Sequence, residues 1–226
     1  MTWREITYMI LDELKGMSDD FTYTEDHITF LLNKYRPFLL RQRYSDLRKP
    51  IPEGNYQTLC LELIEVPAIS GEPCEGGSYL RGKDKLPITM GVGNPRVYPI
   101  DFYQGEITYV SRDRMRYVGY NKFLQNIIYC SIAPDGYLYL KSWNPQFLYL
   151  GNVRFTAIFE DASAASGYEC PSEGGDVACD ILDRQFPIED SLVPPLIELV
   201  VKELRGPEYA PKDERNDAND NLDEMK

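Results

Sequence analysis

Residues 188–204 read Ile188-Glu-Asp-Ser-Leu192-Val-Pro-Pro-Leu196-Ile-Glu-Leu199-Val200-Val-Lys-Glu-Leu204, and this stretch decides the fold. Pro194 and Pro195 are tolerated only in a first helical turn, where the missing amide has no intrahelical acceptor to lose. An element spanning about 188–205 is therefore predicted to become regular helix near Pro194. Leu196, Leu199, Val200 and Leu204 recur at helical spacing as one apolar stripe, and Gly206-Pro207 closes the element. Such a stripe needs a partner. The matching helices lie at the other end of the chain.

There, Thr2-Trp-Arg-Glu5 has the spacing of a capping box, in which Thr2 accepts from an early amide and Glu5 reaches back. Ile6, Ile10 and Leu14 follow every four residues, flanked by Trp3 and Leu11, and Gly16 supplies a left-handed stop. A second helix is predicted from Thr24, with Glu25 and Asp26 favourably placed in its first turn. Its buried face is Ile28, Leu31, Leu32 and Tyr35. Pro37 donates no amide and disfavours helix at Arg36, which predicts a kink or a restart. Arg41, Arg43, Arg48 and Lys49 make this end basic.

Between these helices the hydrophobic period becomes two. Leu59, Leu61 and Leu63 alternate with Cys60, Glu62 and Ile64, the pattern of a strand with one face more buried. The β-branched and aromatic runs at 107–110, 127–132, 137–140 and 153–159 predict further strands. Ala133-Pro-Asp-Gly136 predicts a tight hairpin: preset φ, local side-chain bonding, then permitted positive φ. Residues 70–85 and 162–179 are expected as exposed loops. Residues 212–226 are too polar to offset the entropy of ordering them. The expected fold class is α+β, a helical module of N-terminal and C-terminal helices bracketing a β-rich insertion, with a disordered acidic C-terminal tail. By range this gives helices over 1–50, the insertion over 51–160 and an acidic loop over 161–187. A helix over 188–206 packs with the first two, and a tail over 207–226 is mobile or docks on a partner.

Composition narrows function. The 226 residues hold 24 basic and 36 acidic side chains, a net charge of −12. No apolar run approaches the ~20 residues of a bilayer span, and the start lacks the pattern of a secretory signal. A net-negative chain repels polyphosphate, which disfavours free nucleic-acid binding. The charge is blocky: residues 81–122 carry eight cations against four carboxylates, and residues 157–190 nine carboxylates against one arginine. Such blocks suit either a merely soluble acidic protein or a surface that meets another protein or another copy.

Catalytic constellations are absent from the pattern. The five cysteines (Cys60, Cys74, Cys130, Cys170, Cys179) are odd in number and lack close pairs, so neither a disulfide framework nor a metal site is expected. The single histidine, His27, has no nucleophile beside it and reads as a cap-adjacent residue. Gly91-Val-Gly-Asn-Pro95 lacks the Lys-Ser/Thr pair of a phosphate loop and reads as a turn. Arg112, Arg114 and Arg116 alternate as if along one strand face. With Tyr109, Tyr117 and Tyr120 nearby they allow a single-stranded nucleic-acid platform, a protein contact or a solvated sheet face. Seventeen tyrosines supply contact area with few rotatable bonds and a polar tip, which points to contact rather than catalysis. No cofactor is implied.

Two stretches carry a resemblance. The opening Thr2-Trp-Arg-Glu-Ile-Thr-Tyr-Met-Ile-Leu-Asp-Glu-Leu-Lys15 and the run from Asp19 to Arg36 resemble the helical start of head–tail connector proteins of tailed phages. The closing segment 186–204, with its hydrophilic tail, is similar to the end of virion proteins in crAss-like podoviruses. The resemblance implies a structural virion protein at the capsid–tail junction, made in the host cytoplasm and not an enzyme. It further implies a ring, commonly of twelve copies, beneath the portal protein and above a further ring or tail protein. Genomic DNA would pass through without sequence-specific binding, and no membrane is involved. On this basis Ile188, Leu192, Leu196, Leu199, Val200 and Leu204 are the candidate portal-docking segment. Arg41, Arg43, Arg112, Arg114 and Arg116, facing Glu169, Glu173 and Asp176 of a neighbour, are candidate inter-subunit contacts. A minor tail or cargo protein, or a phage enzyme with a carboxylate site, are the alternatives.

Overall fold

The computed structural model describes residues 1–15, 23–46, 49–69, 78–100, 105–119, 121–168 and 180–205. In chain order the elements are α1 (Trp3–Lys15), α2 (Glu25–Arg43), β1 (Gln57–Val66), β2 (Tyr79–Gly82), β3 (Arg96–Pro99), β4 (Thr108–Tyr109), α3 (Arg112–Met115), β5 (Tyr129–Ile132), β6 (Leu138–Lys141), β7 (Asn152–Ala157), α4 (Ala162–Ser166) and α5 (Val193–Leu204). The fold is α+β, as the change of hydrophobic period predicts.

Each long helix starts where its cap residues require. The Thr2 amide donates to Glu5 Oε2 at 2.7 Å and the Glu5 amide to Thr2 Oγ1 at 3.2 Å, a reciprocal cap. Thr24 Oγ1 accepts from the His27 amide at 3.4 Å to open α2. Pro194 sits in the first turn of α5, after a 3₁₀ turn over Asp190–Leu192. The predicted restart at Pro37 does not occur: α2 is one helix of 19 residues. The helix is held on both sides of the proline, by the fully buried Arg36 and by Leu39 and Leu40.

The three long helices share one core. Trp3, Ile6, Ile10 and Leu14 of α1, Ile28, Leu31, Leu32 and Leu40 of α2, and Leu196, Val200 and Leu204 of α5 are all buried together. Phe186 meets Trp3 edge-on with ring centroids 4.4 Å apart. Tyr23 Oη donates to Leu204 O at 2.6 Å, tying the entry of α2 to the end of α5.

The insertion is a seven-stranded sheet in the order β3-β7-β1-β2-β6-β5-β4, antiparallel except for the parallel pair β4–β5. Its two edges meet: the Ile107 amide, just before β4, donates to Val97 O of β3 at 2.7 Å. The sheet thereby curls into a small barrel and leaves little unpaired edge. Leu59, Leu61, Leu80, Val97, Cys130, Leu138, Leu140, Val153 and Phe155 fill its interior. On β2, β5 and β6 the alternate residues Tyr79, Tyr129 and Tyr139 face a second apolar cluster completed by Met115, which is 1% exposed. These strands are therefore covered on both faces.

The Ala133–Gly136 hairpin forms as predicted. The Gly136 amide donates to Ala133 O at 3.0 Å, Gly136 takes φ +84°, and Asp135 Oδ1 accepts from the Tyr137 amide at 3.2 Å. Other expectations are corrected. The predicted loop 70–85 contains β2, which pairs with both β1 and β6. The predicted loop 162–179 opens with α4, capped by Asp161. β3 was not expected; it is only four residues long and ends on a proline. Cys60 is disulfide-bonded, against the expectation of no disulfide framework, whereas Cys130 is a free thiol inside the barrel. Gly16, Arg48, Tyr120, Cys170, Cys179 and residues 206–226 lie outside the described residues.

Candidate assembly interface

Several of the chain's charged groups are paired within one copy. Arg36 lies wholly buried where the helical core meets the barrel. Its Nε donates to Pro187 O at 2.7 Å, Nη1 to Phe159 O at 2.7 Å and Nη2 to Asn55 O at 3.1 Å. One guanidinium thus joins α2, the turn before β1, the end of β7 and the approach to α5. Burial pushes its pKa down to about 9, opposed by the nearby Asp161 carboxylate, so it remains charged at neutral pH. Asn55 completes the junction by accepting the Glu189 amide at 2.8 Å on Oδ1. Neither Arg36 nor Asn55 is among the candidate residues read from the sequence. The available signal was a lone Arg on the apolar face of a helix, four residues from Leu32 and Leu40.

The basic end of α2 is similarly committed. Arg41 pairs with Glu160, Arg43 lies 3.8 Å from Glu189, and Lys34 binds Glu203 at 2.6 Å. Arg4 of α1 bridges Asp180 and Asp183 at 2.9 and 2.7 Å. The acidic block 157–190 therefore meets cations of its own chain. Arg41 and Arg43, expected to face a neighbour, are already engaged at home. Glu169, Glu173 and Asp176 lie outside the described residues.

The apolar stripe of the closing segment is also internal. Ile188, Leu192, Leu196, Val200 and Leu204 are buried in the helical core, and Leu199 is half-buried against it. The outward face of α5 consists of Pro194, Glu198, Lys202 and Glu203. Tyrosines are likewise used inside: Tyr44 Oη donates to Glu189 at 2.5 Å and Tyr139 Oη to Asp135 at 2.7 Å. Burial and the Glu189 bond push the Tyr44 phenol up to about 12.

Arg112, Arg114 and Arg116 do not line a strand. Arg112 and Arg114 lie on α3 and Arg116 is its C-cap, so helical rotation sends their side chains different ways. The fully buried Met115 anchors this turn on Tyr79, Tyr129 and Tyr139. Around it the surface is apolar and basic: Tyr117 is 78% exposed, Phe123 89% and Tyr149 78%, with Lys122 alongside Phe123. Trp143 packs on Gly119, whose φ is +84° and where an added Cβ would fall 2.2 Å from the indole. This lobe, residues 112–119 and 121–126 with 143–149, presents Tyr117, Phe123 and Tyr149 to solvent.

A concave counterpart lies between α2, residues 86–88 and α4. It is an open groove of about 820 Å³, with Phe30, Pro37, Leu86 and Ile88 as its apolar wall and Asp26, Glu160 and Asp161 on its rim. Phe30 is 63% exposed and Ile88 70%. His27 is exposed and stacks on Tyr23, burial pushes the Cys130 thiol up, and no metal-holding cluster occurs among the described residues.

An exposed aromatic and basic patch together with an apolar groove suits a protein whose work is association. Comparison with known proteins agrees. A family described as phage tail ring protein 2 matches residues 5–223. The chain belongs to this family. It is 72% identical over 222 residues to Ring protein 2 of Bacteroides phage crAss001, covering 98% of each chain. It is thus a ring protein of a crAss-like phage, a structural component of the virion. None of its described helices is long and apolar enough to cross a membrane.

Proposed function

We propose that this tail ring protein is a head–tail connector: identical copies, twelve in number, close a ring beneath the portal protein and extend the channel through which genomic DNA leaves. The reading rests on one observation, the match of a phage tail ring protein family over residues 5–223. A closed ring requires two different surfaces on each subunit, and the groove and the lobe supply them. With a net charge of −12 the ring would repel DNA on average, so the polymer passes without adhering. A docking role for residues 188–204 would fall to their outward residues, Glu198 and Lys202, since the apolar stripe is consumed inside. The next ring or tail protein would bind the opposite rim.

Electron microscopy of purified particles tests this. Density for this chain forming a closed twelvefold ring directly beneath the portal is expected. Density further along the tail axis, a different symmetry, or the chain's absence from particles would overturn it.

A further inference from the structure

We propose that the ring closes by insertion of the lobe of one copy, led by Phe123 and Tyr117, into the groove of the next copy between Phe30 and Ile88. This deepens the ring reading and rests on it. Shape and polarity match. Phe123 is the most exposed aromatic of the lobe and Tyr117 is as exposed as Tyr149, and Phe30, Pro37 and Ile88 offer an apolar wall of fitting character. Aromatic anchors seated in a pocket carry much of the energy of protein–protein contacts.

Charge then fixes the direction. Arg112, Arg114 and Lys122 lie within a few residues of Tyr117 or Phe123 along the chain, are exposed, and make no ion pair among the described residues. The groove presents Asp26 from the first turn of α2; of its other charges, Glu160 is paired with Arg41, Asp161 caps α4 and Lys34 is paired with Glu203, so Asp26 is the carboxylate it offers a partner. Asp26 has no cation partner among the described residues. Four other cations of the 81–122 block are engaged: Lys83 binds Glu62 at 2.6 Å, Arg96 binds Glu53 at 2.8 Å, and Arg81 and Lys85 lie over the Tyr137 ring. What remains of the basic block is therefore concentrated on the lobe, and it complements Asp26. Lobe and groove are different surfaces, so the contact is head-to-tail and can propagate into a ring rather than stop at a dimer.

The test uses the full-length chain, sized by light scattering and electron microscopy, with a benzophenone amino acid at position 123. In assembled rings the photoproduct should join position 123 of one copy to residues 26–37 or 86–88 of another. R112E/R114E should lower the ring fraction roughly tenfold, and adding D26K should restore most of it. F123S, altering a side chain with no buried contact, should impair assembly while leaving the melting temperature unchanged. Rings that form but cross-link elsewhere, or cross-link to a different virion protein, overturn the lobe-in-groove contact and leave the ring reading standing. A wild-type chain that stays monomeric overturns both.

Discussion

The junction at Arg36 and the lobe at Arg112 and Arg114 use the same side chain for opposite ends. Arg36 is fully buried and spends its fork on three carbonyls from distant segments, so it holds the helical core and barrel together. Arg112 and Arg114 stand exposed on a four-residue helix whose buried residue is Met115. A guanidinium's role is set by what surrounds it. Where chain segments converge, desolvation makes the charge costly unless every donor is used, and losing it afterwards costs more. Where nothing converges, the charge stays hydrated and contributes little to the monomer. It is left available for a partner.

That contrast can be broken most directly at Arg36. Arg36→Ala removes a charge-assisted hub and strands three buried carbonyls, and should destabilise the chain by about 3–5 kcal/mol in urea unfolding. Arg112→Ala and Arg114→Ala should each stay within about 0.5 kcal/mol of wild type. Equal effects at the two places would mean that the junction is solvated and the contrast is false.

A second break concerns α5. Leu196→Ala, in the centre of the shared helical core, should cost about 2–4 kcal/mol through lost transfer energy and the cavity left behind. Glu198→Ala on the outward face should cost almost nothing in the monomer. If Leu196→Ala leaves unfolding unchanged and weakens only contact with another virion protein, the stripe is a docking face and not a core.

How far the sequence carries this reading follows from the range of the forces involved. Local rules sufficed for the caps at Thr2 and Thr24, the hairpin at Ala133–Gly136 and the start of α5 near Pro194, because each is decided within four or five residues. The α+β division followed from hydrophobic period alone. The Arg36 junction was hidden because its acceptors lie 19, 123 and 151 residues away. For the same reason the partners of the acidic block are not legible in the sequence, and Glu169, Glu173 and Asp176 lie outside the described residues. Glu160 and Glu189 do meet cations, but those of α2 in the same chain. Alternating arginines at 112–116 mimicked a strand because a short polar run carries no apolar period to distinguish the two. Barrel closure between Val97 and Ile107 depends on strand order, which composition does not encode.

The hairpin offers a smaller, purely local effect to set beside these. Gly136 has φ +84° and open space where a Cβ would sit. Gly136→Ala should therefore cost about 1–2 kcal/mol from backbone strain alone. Gly119 shares that φ, but an added Cβ would also collide with Trp143. Gly119→Ala should therefore displace the indole, visible as a changed tryptophan emission, whereas Gly136→Ala leaves emission unaltered.

The smallest expected effect separates exposed pairs from the buried hub by their response to pH and salt. Arg96 grips Glu53 with both Nη atoms, at 3.0 and 2.8 Å, and this bond holds the Glu53 carboxyl below its ordinary value. A carboxylate depressed in the folded state contributes stability above its unfolded pKa and loses it as the pH falls through its folded value. Glu53→Gln should consequently melt slightly below wild type near neutral pH, and the two curves should merge in acid. Because Glu53 is fully exposed, molar salt should also erase the difference. The deficit of Arg36→Ala should persist under both conditions, since neither salt nor carboxylate protonation reaches three buried carbonyls. A gap at Glu53 that survives molar salt would mean that this pair is shielded as Arg36 is, and that exposure is a poor guide to which arginines hold the fold together.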